Sequence, residues 1–177
     1  MVKCGKILHI FEKRISYTKT VINLIGTYEC KIDAKGRVML PSALKKQLSP
    51  VLENGFVLKR SVFQPCLELY PIEEWNLLMQ KVNKLNRFDR KNNDFVRRLT
   101  AGVKMVELDS SGRLLVAKDL IGYSGLAKEI VISSAVNILE IWDKDKYETA
   151  IDDAAGEFAD LAEEVMGGKN DEFDGIS

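Results

Sequence analysis

The stretches "KIDAKGRVMLP" (residues 31–41) and "VELDSSGRLLVA" (residues 106–117) carry the same Asp-x-x-Gly-Arg string seventy-six positions apart, each time between two apolar runs. A tight turn uses the aspartate, whose carboxylate accepts backbone N–H groups, and the glycine, which takes positive φ without steric cost. It has no use for the arginine. The correspondence also runs beyond the turn. At that offset residues 29–44 fall on residues 105–120, matching Asp33 with Asp109, Gly36 with Gly112, Arg37 with Arg113 and Leu44 with Leu120. Further along, "CLELYPIEEW" (66–75) falls on "ILEIWDKDKY" (138–147) at an offset of seventy-two, matching Glu68 with Glu140, Tyr70 with Trp142 and Trp75 with Tyr147. The second copy is therefore four residues shorter between its landmarks. Landmarks kept in the same order define an internal repeat.

Each copy reads as the same series of elements. A strand ("TYECKI", "KMVEL") enters the turn and a second strand ("VML", "LLV") leaves it. A short helix follows, which in the first copy is "PSALKKQL", with Pro41 near a first helical position that has no need of its missing N–H. Two more strands ("FVLKRSV" and "CLELY"; "EIVISS" and "ILEIW") lead to a closing helix, "PIEEWNLLMQKVNKL" or "DKDKYETAIDDAAGEFADLAEEV". In the latter, Ile151, Ala154, Ala155, Phe158, Leu161, Ala162 and Val165 share one helical face, which is expected to dock. Four short strands leave unpaired sheet edges. The expected fold is thus α+β and β-rich, with two half-barrels pairing their edges into one pseudo-twofold barrel. The divisions are an N-terminal extension (1–24), the first repeat (27–74), a basic helical linker (75–102), the second repeat (103–146) and an acidic C-terminal helix and tail (147–177). In the linker, Phe95, Val96 and Leu99 mark a short helix with Arg97 and Arg98 on its exposed side.

Composition narrows the function. At 177 residues and 46% hydrophobic, the chain can bury a core. No apolar run approaches the roughly 18–20 residues a bilayer-spanning helix needs, and the first residues make a poor secretory signal, so no membrane partner and a cytoplasmic setting are expected. His9 is the only histidine, and Cys4, Cys30 and Cys66 are scattered, so neither a zinc cage nor a Cys-His nucleophile assembles. Neither a cofactor nor catalysis is expected, and nothing points to a small-molecule substrate. The formal net charge of zero hides an asymmetry: residues 148–177 carry ten acids against Lys169, so the preceding body is as positive as the tail is negative. A basic body with an acidic tail fits a nucleic-acid binder, and a solvated acidic helix explains the tail equally well.

The residues "IGTYECKIDAKGRVMLP" (25–41), "CLELYPIEEW" (66–75), "AGVKMVELDSSGRLLV" (101–116) and "NILEIWDKDKY" (137–147) resemble the MraZ family, within the broader SpoVT-AbrB type of DNA-binding fold. The resemblance covers about residues 25–147 and includes the tandem order. It implies a bacterial transcriptional regulator of the division and cell-wall gene cluster, acting as a repressor. Its partners would be double-stranded promoter DNA, read at short guanine-rich direct repeats, and further copies of itself in a ring-like homo-oligomer on the nucleoid.

The family's Asp-x-x-x-Arg signature falls on Asp33 and Arg37 and on Asp109 and Arg113. The arginines are the expected DNA-binding residues, since a guanidinium fork can grip phosphate or the O6/N7 edge of guanine. Lys35 adds a point charge for the phosphate backbone. Asp33, Gly36, Asp109 and Gly112 shape the turns and orient the arginines; alternatively the arginines only brace those turns. The second copy has Ser110-Ser111 in place of Ala34-Lys35 and Ala117 in place of Pro41, so the first copy is expected to contribute more. A second functional reading is an interaction module of antitoxin type built on the same fold. Residues 1–20 find no partner in the repeat, and they are expected to be loosely ordered or to precede the true start at Val21.

Overall fold

The computed structural model describes residues 22–155 and 158–167, and the expectation for residues 1–20 lies outside them. Among the described residues eight strands and six helices follow in chain order, the same series of elements twice. The first half holds β1 (Thr27–Lys31), β2 (Arg37–Met39), α1 (Ser42–Leu48), β3 (Phe56–Arg60), β4 (Leu67–Pro71), α2 (Ile72–Val82) and α3 (Arg90–Leu99). The second holds β5 (Lys104–Val106), β6 (Arg113–Leu115), α4 (Lys118–Ser124), β7 (Glu129–Ala135), β8 (Ile138–Asp143), α5 (Lys144–Ala155) and α6 (Phe158–Gly167).

The halves are interleaved. An antiparallel six-stranded sheet runs β1-β7-β8-β4-β3-β5, and β2 pairs with β6 in a separate ribbon. Each half thus lends its first strand to the other half's hairpin, β1 lying on β7 and β5 on β3. The ribbon pairs Val38 with Leu114, and the centre of the sheet pairs Glu68 with Glu140. Those are the residues matched by the repeat, so a pseudo-twofold axis passes through both points. Across it Leu40 N–H donates to Gly112 O (3.2 Å) and Val116 N–H to Gly36 O (2.8 Å).

The expected closed barrel does not form. β1 and β5 are the two ends of an open sheet, and each meets the ribbon only through an isolated bridge, Ile32–Val38 or Leu108–Leu114. The turn between each first and second strand redirects the chain out of the sheet before a continuous ladder can build up. Strand alternation then buries Val38 and Leu114 beneath the ribbon, against Leu44 of α1, Leu120 of α4 and the inner face of the sheet. Burying a leucine such as Leu44 completely contributes roughly 1.5–3 kcal/mol.

The four-residue shortening is divided between two places. The first half passes from α1 to β3 through a 3-10 turn (Leu52–Asn54), where the second leaves α4 through the left-handed Gly125. The β7–β8 hairpin closes in two residues after Ala135, whereas β3 and β4 are joined by a longer loop. Pro41 and Pro71 stand at the N-caps of α1 and α2, one place before the first helical residue.

The outer face of the sheet repeats the symmetry in its polar groups. Tyr70 Oη donates to Glu68 Oε2 (2.9 Å) and Trp142 Nε1 to Glu140 Oε2 (2.9 Å). Trp75 and Tyr147, from α2 and α5, pack edge-on against Tyr70 and Trp142 at 5.9 and 5.8 Å. Among the described residues only the first half adds a buried cation, Lys59, whose Nζ lies 2.7 Å from Glu68 Oε2. Burial and these two carboxylates push the Cys66 thiol up to about 12.

Among the described residues the expected docking of the apolar face of α5 and α6 does not occur: Ile151, Phe158, Leu161 and Val165 are each more than half exposed. The linker helix is α3, capped by Asp89 Oδ1, which accepts from Lys91 N–H (2.7 Å). Its Leu99 is buried, and Arg97 and Arg98 face water.

Candidate nucleic-acid interface

The two turns are near copies in atomic detail. Asp33 Oδ1 accepts the backbone N–H groups of Lys35 (2.8 Å) and Arg37 (3.0 Å), and Asp109 Oδ1 accepts those of Ser111 (2.8 Å) and Arg113 (3.0 Å). Gly36 N–H donates to Asp33 O (2.9 Å) and Gly112 N–H to Asp109 O (2.8 Å), with the glycines at φ 81° and 75°. The other carboxylate oxygen holds the arginine. Arg37 Nε and Nη2 lie 2.7 and 2.6 Å from Asp33 Oδ2, and both corresponding distances between Arg113 and Asp109 are 2.8 Å.

Each arginine therefore braces its turn, and the brace leaves part of its chemistry available. A guanidinium has five N–H donors. The aspartate engages one on Nε and one on Nη2, leaving three at the far end. About a third of each arginine side chain is exposed, 34% for Arg37 and 33% for Arg113. Both rise from the outer face of the ribbon, where Arg37 stands opposite Leu115 and Arg113 opposite Met39. Met39 and Leu115 are themselves about half exposed, so this face alternates cation with apolar side chain around the pseudo-twofold axis.

The same contacts tune the acids. The Arg37 side chain, followed by its backbone N–H, holds the Asp33 carboxyl well below its ordinary 3.8, at about 2. Asp109 is lowered as well, first by the backbone N–H of Arg113. A carboxyl depressed on folding lends stability that is complete above its unfolded value and is lost as pH falls toward the folded one. The first turn is accordingly expected to stay intact at pH 4. Carbon-detected NMR of the side-chain carboxyls should place the Asp33 midpoint near 2; a midpoint near 4 would show that the pair does not persist in solution.

Every residue expected from the sequence is found at the turns, with Lys35 exposed at the tip of the first. Beside each turn lies an open cleft. The cleft at the first turn runs from Ile32–Gly36 to Lys118 and Ile121 of α4 and the segment 126–128; the one at the second runs from Leu108–Gly112 and Glu107 to Lys45 of α1, Leu52 and Glu53. Lys118 and Lys128 were not singled out from the sequence. The signal lay in the alignment of the halves, where they stand against Ser42 and Asn54, but only after the offset has been corrected across the shortened connection. Among the described residues no three potential metal ligands cluster, and no helix is long and apolar enough to cross a membrane.

Comparison with known proteins agrees with the duplicated geometry. The chain matches the family described as "MraZ protein, putative antitoxin-like" over residues 24–98 and again over 99–167, one match for each half. The transcriptional regulator MraZ of Christiangramia forsetii is 69% identical over 157 residues, covering 89% of this chain and all of that protein. Its counterpart in Flavobacterium psychrophilum is 67% identical over 154 residues, covering 87% of this chain and 98% of its own. A more distant one, from Bacteroides thetaiotaomicron, is 32% identical over 151 residues, 85% of this chain and 96% of that one. With both halves matched and the relatives covered almost end to end, the chain belongs to the MraZ family, a family of transcriptional regulators and not of enzymes.

Proposed function

We propose that the chain is a sequence-specific DNA-binding repressor of the division and cell-wall gene cluster, reading short direct repeats in its own promoter from the cytoplasm, on the nucleoid. The observation that carries this reading is the pair of matched turns, each presenting a braced arginine from one exposed two-stranded ribbon. A β-ribbon fits the major groove, and an arginine held side-on by an aspartate keeps its far end for a guanine edge at little entropic cost. Arg37 and Arg113 read bases, Lys35 meets phosphate, and Asp33, Gly36, Asp109 and Gly112 fix the geometry. The repeats 27–74 and 103–146, in the SpoVT-AbrB manner, form this one surface together. The test is a mobility-shift titration with the DNA immediately upstream of the gene beside a scrambled duplex of equal length. Binding no tighter to the promoter than to the scrambled duplex would overturn the reading.

The same reading includes self-assembly. α3 and α6 follow α2 and α5 at corresponding places in the two halves, with opposite charge. α3 carries Arg90, Lys91, Arg97 and Arg98 against Asp94, whereas α6 carries Asp160, Glu163 and Glu164 with no base. Beside them Phe88 and Phe95 are exposed on the basic side, and Phe158, Leu161 and Val165 on the acidic side. A second copy that sets its acidic helices on these basic ones makes a head-to-tail contact, the kind that forms a ring when the rotation between copies closes. A ring repeats the ribbon, so neighbouring chains can engage successive repeats on DNA, with the gain that linkage gives to weak contacts. Light scattering at micromolar concentration should report a multimer. Leu161→Glu combined with Val165→Glu should reduce it to smaller particles without changing the melting of the core. A wild-type monomer refutes the assembly.

The antitoxin-type reading keeps one specific support, the description of the matched family as antitoxin-like. A tight protein partner recovered from the native host, together with no promoter shift, would favour it.

A further inference from the structure

The two clefts beside the turns are built from corresponding residues, yet their charges are opposite. Ile32 and Gly36 in the first correspond to Leu108 and Gly112 in the second, and Leu126 corresponds to Leu52. Against this shared frame the first cleft carries Lys35, Lys118 and Lys128, with Asp33 its only acid. Lys35 and Lys118 correspond to serines, Lys128 to an asparagine, and Ala127 to Glu53. The second cleft carries Glu53, Glu107 and Asp109 against Lys45 alone. The turn aspartate of each cleft is already taken up by its own arginine. What remains is three lysines in one cleft, and one lysine with two glutamates in the other. Lys35, Lys118 and Lys128 are all exposed, and none is ion-paired among the described residues.

We propose that the cleft between the first turn and α4 is a binding site for backbone phosphates of duplex DNA, held by Lys118 and Lys128 together with Lys35, and that the corresponding cleft at the second turn is closed to DNA by its charge. The proposal rests on the DNA-binding reading and adds to it a polarity. The frame orders the three cations. Ile32 N–H donates to Lys128 O (3.0 Å), tying residue 128 beside the first turn, and Lys118 opens α4 directly after the strand that pairs with Arg37. A phosphodiester entering here meets point charges on two sides of the arginine turn, over a floor of Ile32, Ile121 and Leu126. The same phosphodiester at the second turn meets Glu53 and Glu107. One strand of the duplex is thus held beside Arg37, while Arg113 reaches the groove without a phosphate clamp. A chain that looks twofold symmetric then binds DNA in one direction, as head-to-tail reading of direct repeats requires.

Counterion release separates this site from base reading, because log affinity falls with log salt by about 0.9 for each phosphate neutralised. The double variant Lys118→Gln/Lys128→Gln should flatten the salt slope by about two, for the promoter and a scrambled duplex alike. Over a fourfold rise in salt, the wild type then loses about tenfold more affinity than the variant does. Ala127→Glu, which copies Glu53 into the first cleft, should weaken both duplexes, and Lys45→Gln in the second cleft should leave the slope unchanged. A second measurement needs no variant: duplex DNA should shield Lys35, Lys118 and Lys128 from acetylation and leave Lys45 reactive, as read by mass spectrometry. A wild-type protein that binds DNA, with an unaltered slope in the double variant or with Lys45 shielded equally, overturns the cleft and leaves the DNA reading standing. A wild-type protein that shifts no duplex at about 50 mM salt overturns both.

Discussion

Gly36→Ala is expected to destabilise the protein by roughly 3 kcal/mol, and Gly112→Ala by about half as much, although the two glycines occupy the same turn. Both sit at positive φ, 81° and 75°, where an L side chain costs about 1–2 kcal/mol. They differ in what a Cβ would meet. At Gly36 it would lie 2.5 Å from the carbonyl oxygen of Val116, a backbone atom that no rotamer change can withdraw. Moving it strains the ribbon, since Val116 N–H is bonded to Gly36 O at 2.8 Å, a bond worth about 1 kcal/mol. At Gly112 the nearest atom is Lys45 Nζ at 2.8 Å, the far end of a flexible side chain that can swing away. Urea denaturation of the two variants beside wild type measures the difference. Equal losses would mean that the ribbon yields as easily as a lysine side chain.

That asymmetry marks the limit of what a sequence of this kind discloses. The duplication, the eight strands and the turn residues were legible because each is written locally: a period-two apolar pattern, Asp two places ahead of a turn N–H, Gly where φ is positive. The matched pairs also implied a pseudo-twofold relation between the halves, whose axis the structure places at the pairings Val38–Leu114 and Glu68–Glu140. The exchange of first strands between halves was not legible. Thr27–Lys31 would satisfy the pattern of an edge strand on either hairpin, and only packing of the whole core selects β7. Closure of the barrel was misjudged for a related reason. Counting strands says nothing of the redirection at the turns, after which ribbon and sheet meet at single bridges. Periodicity gave α5 and α6 an apolar face, but it cannot say whether such a face is covered from within the chain or by another copy. The opposed charges of the clefts were hidden by the change of offset across the 3-10 turn, which moves Ala127 into register with Glu53. Lys59 reads as a surface lysine on a strand, and it is buried because Glu68 lies opposite it on β4.

Arg37→Ala is expected to leave folding nearly intact and to cost promoter affinity about 1–3 kcal/mol for each chain engaged, or roughly 5- to 150-fold per contact. The small effect on folding follows from exposure: the ion pair with Asp33 sits at the protein surface, where such pairs add little. The turn keeps its own bonds, because Asp33 Oδ1 still accepts from the backbone N–H groups at positions 35 and 37. The large effect on affinity has two sources. The far end of the guanidinium is lost, and Asp33 is left as an uncompensated negative charge beside the incoming phosphates. Arg37→Lys separates them, since lysine restores the charge without the planar fork. It should recover binding to a scrambled duplex while the preference for the promoter stays lost. Arg113→Ala should be milder, because its turn lies beside Glu53 and Glu107 and offers DNA less to begin with. Melting curves run beside promoter titrations for the three variants decide the matter. If the arginines served only as braces, affinity would fall in step with melting temperature and Arg37→Ala would bind as wild type wherever it is folded. That outcome would remove base reading from the turns and leave them a purely structural pair.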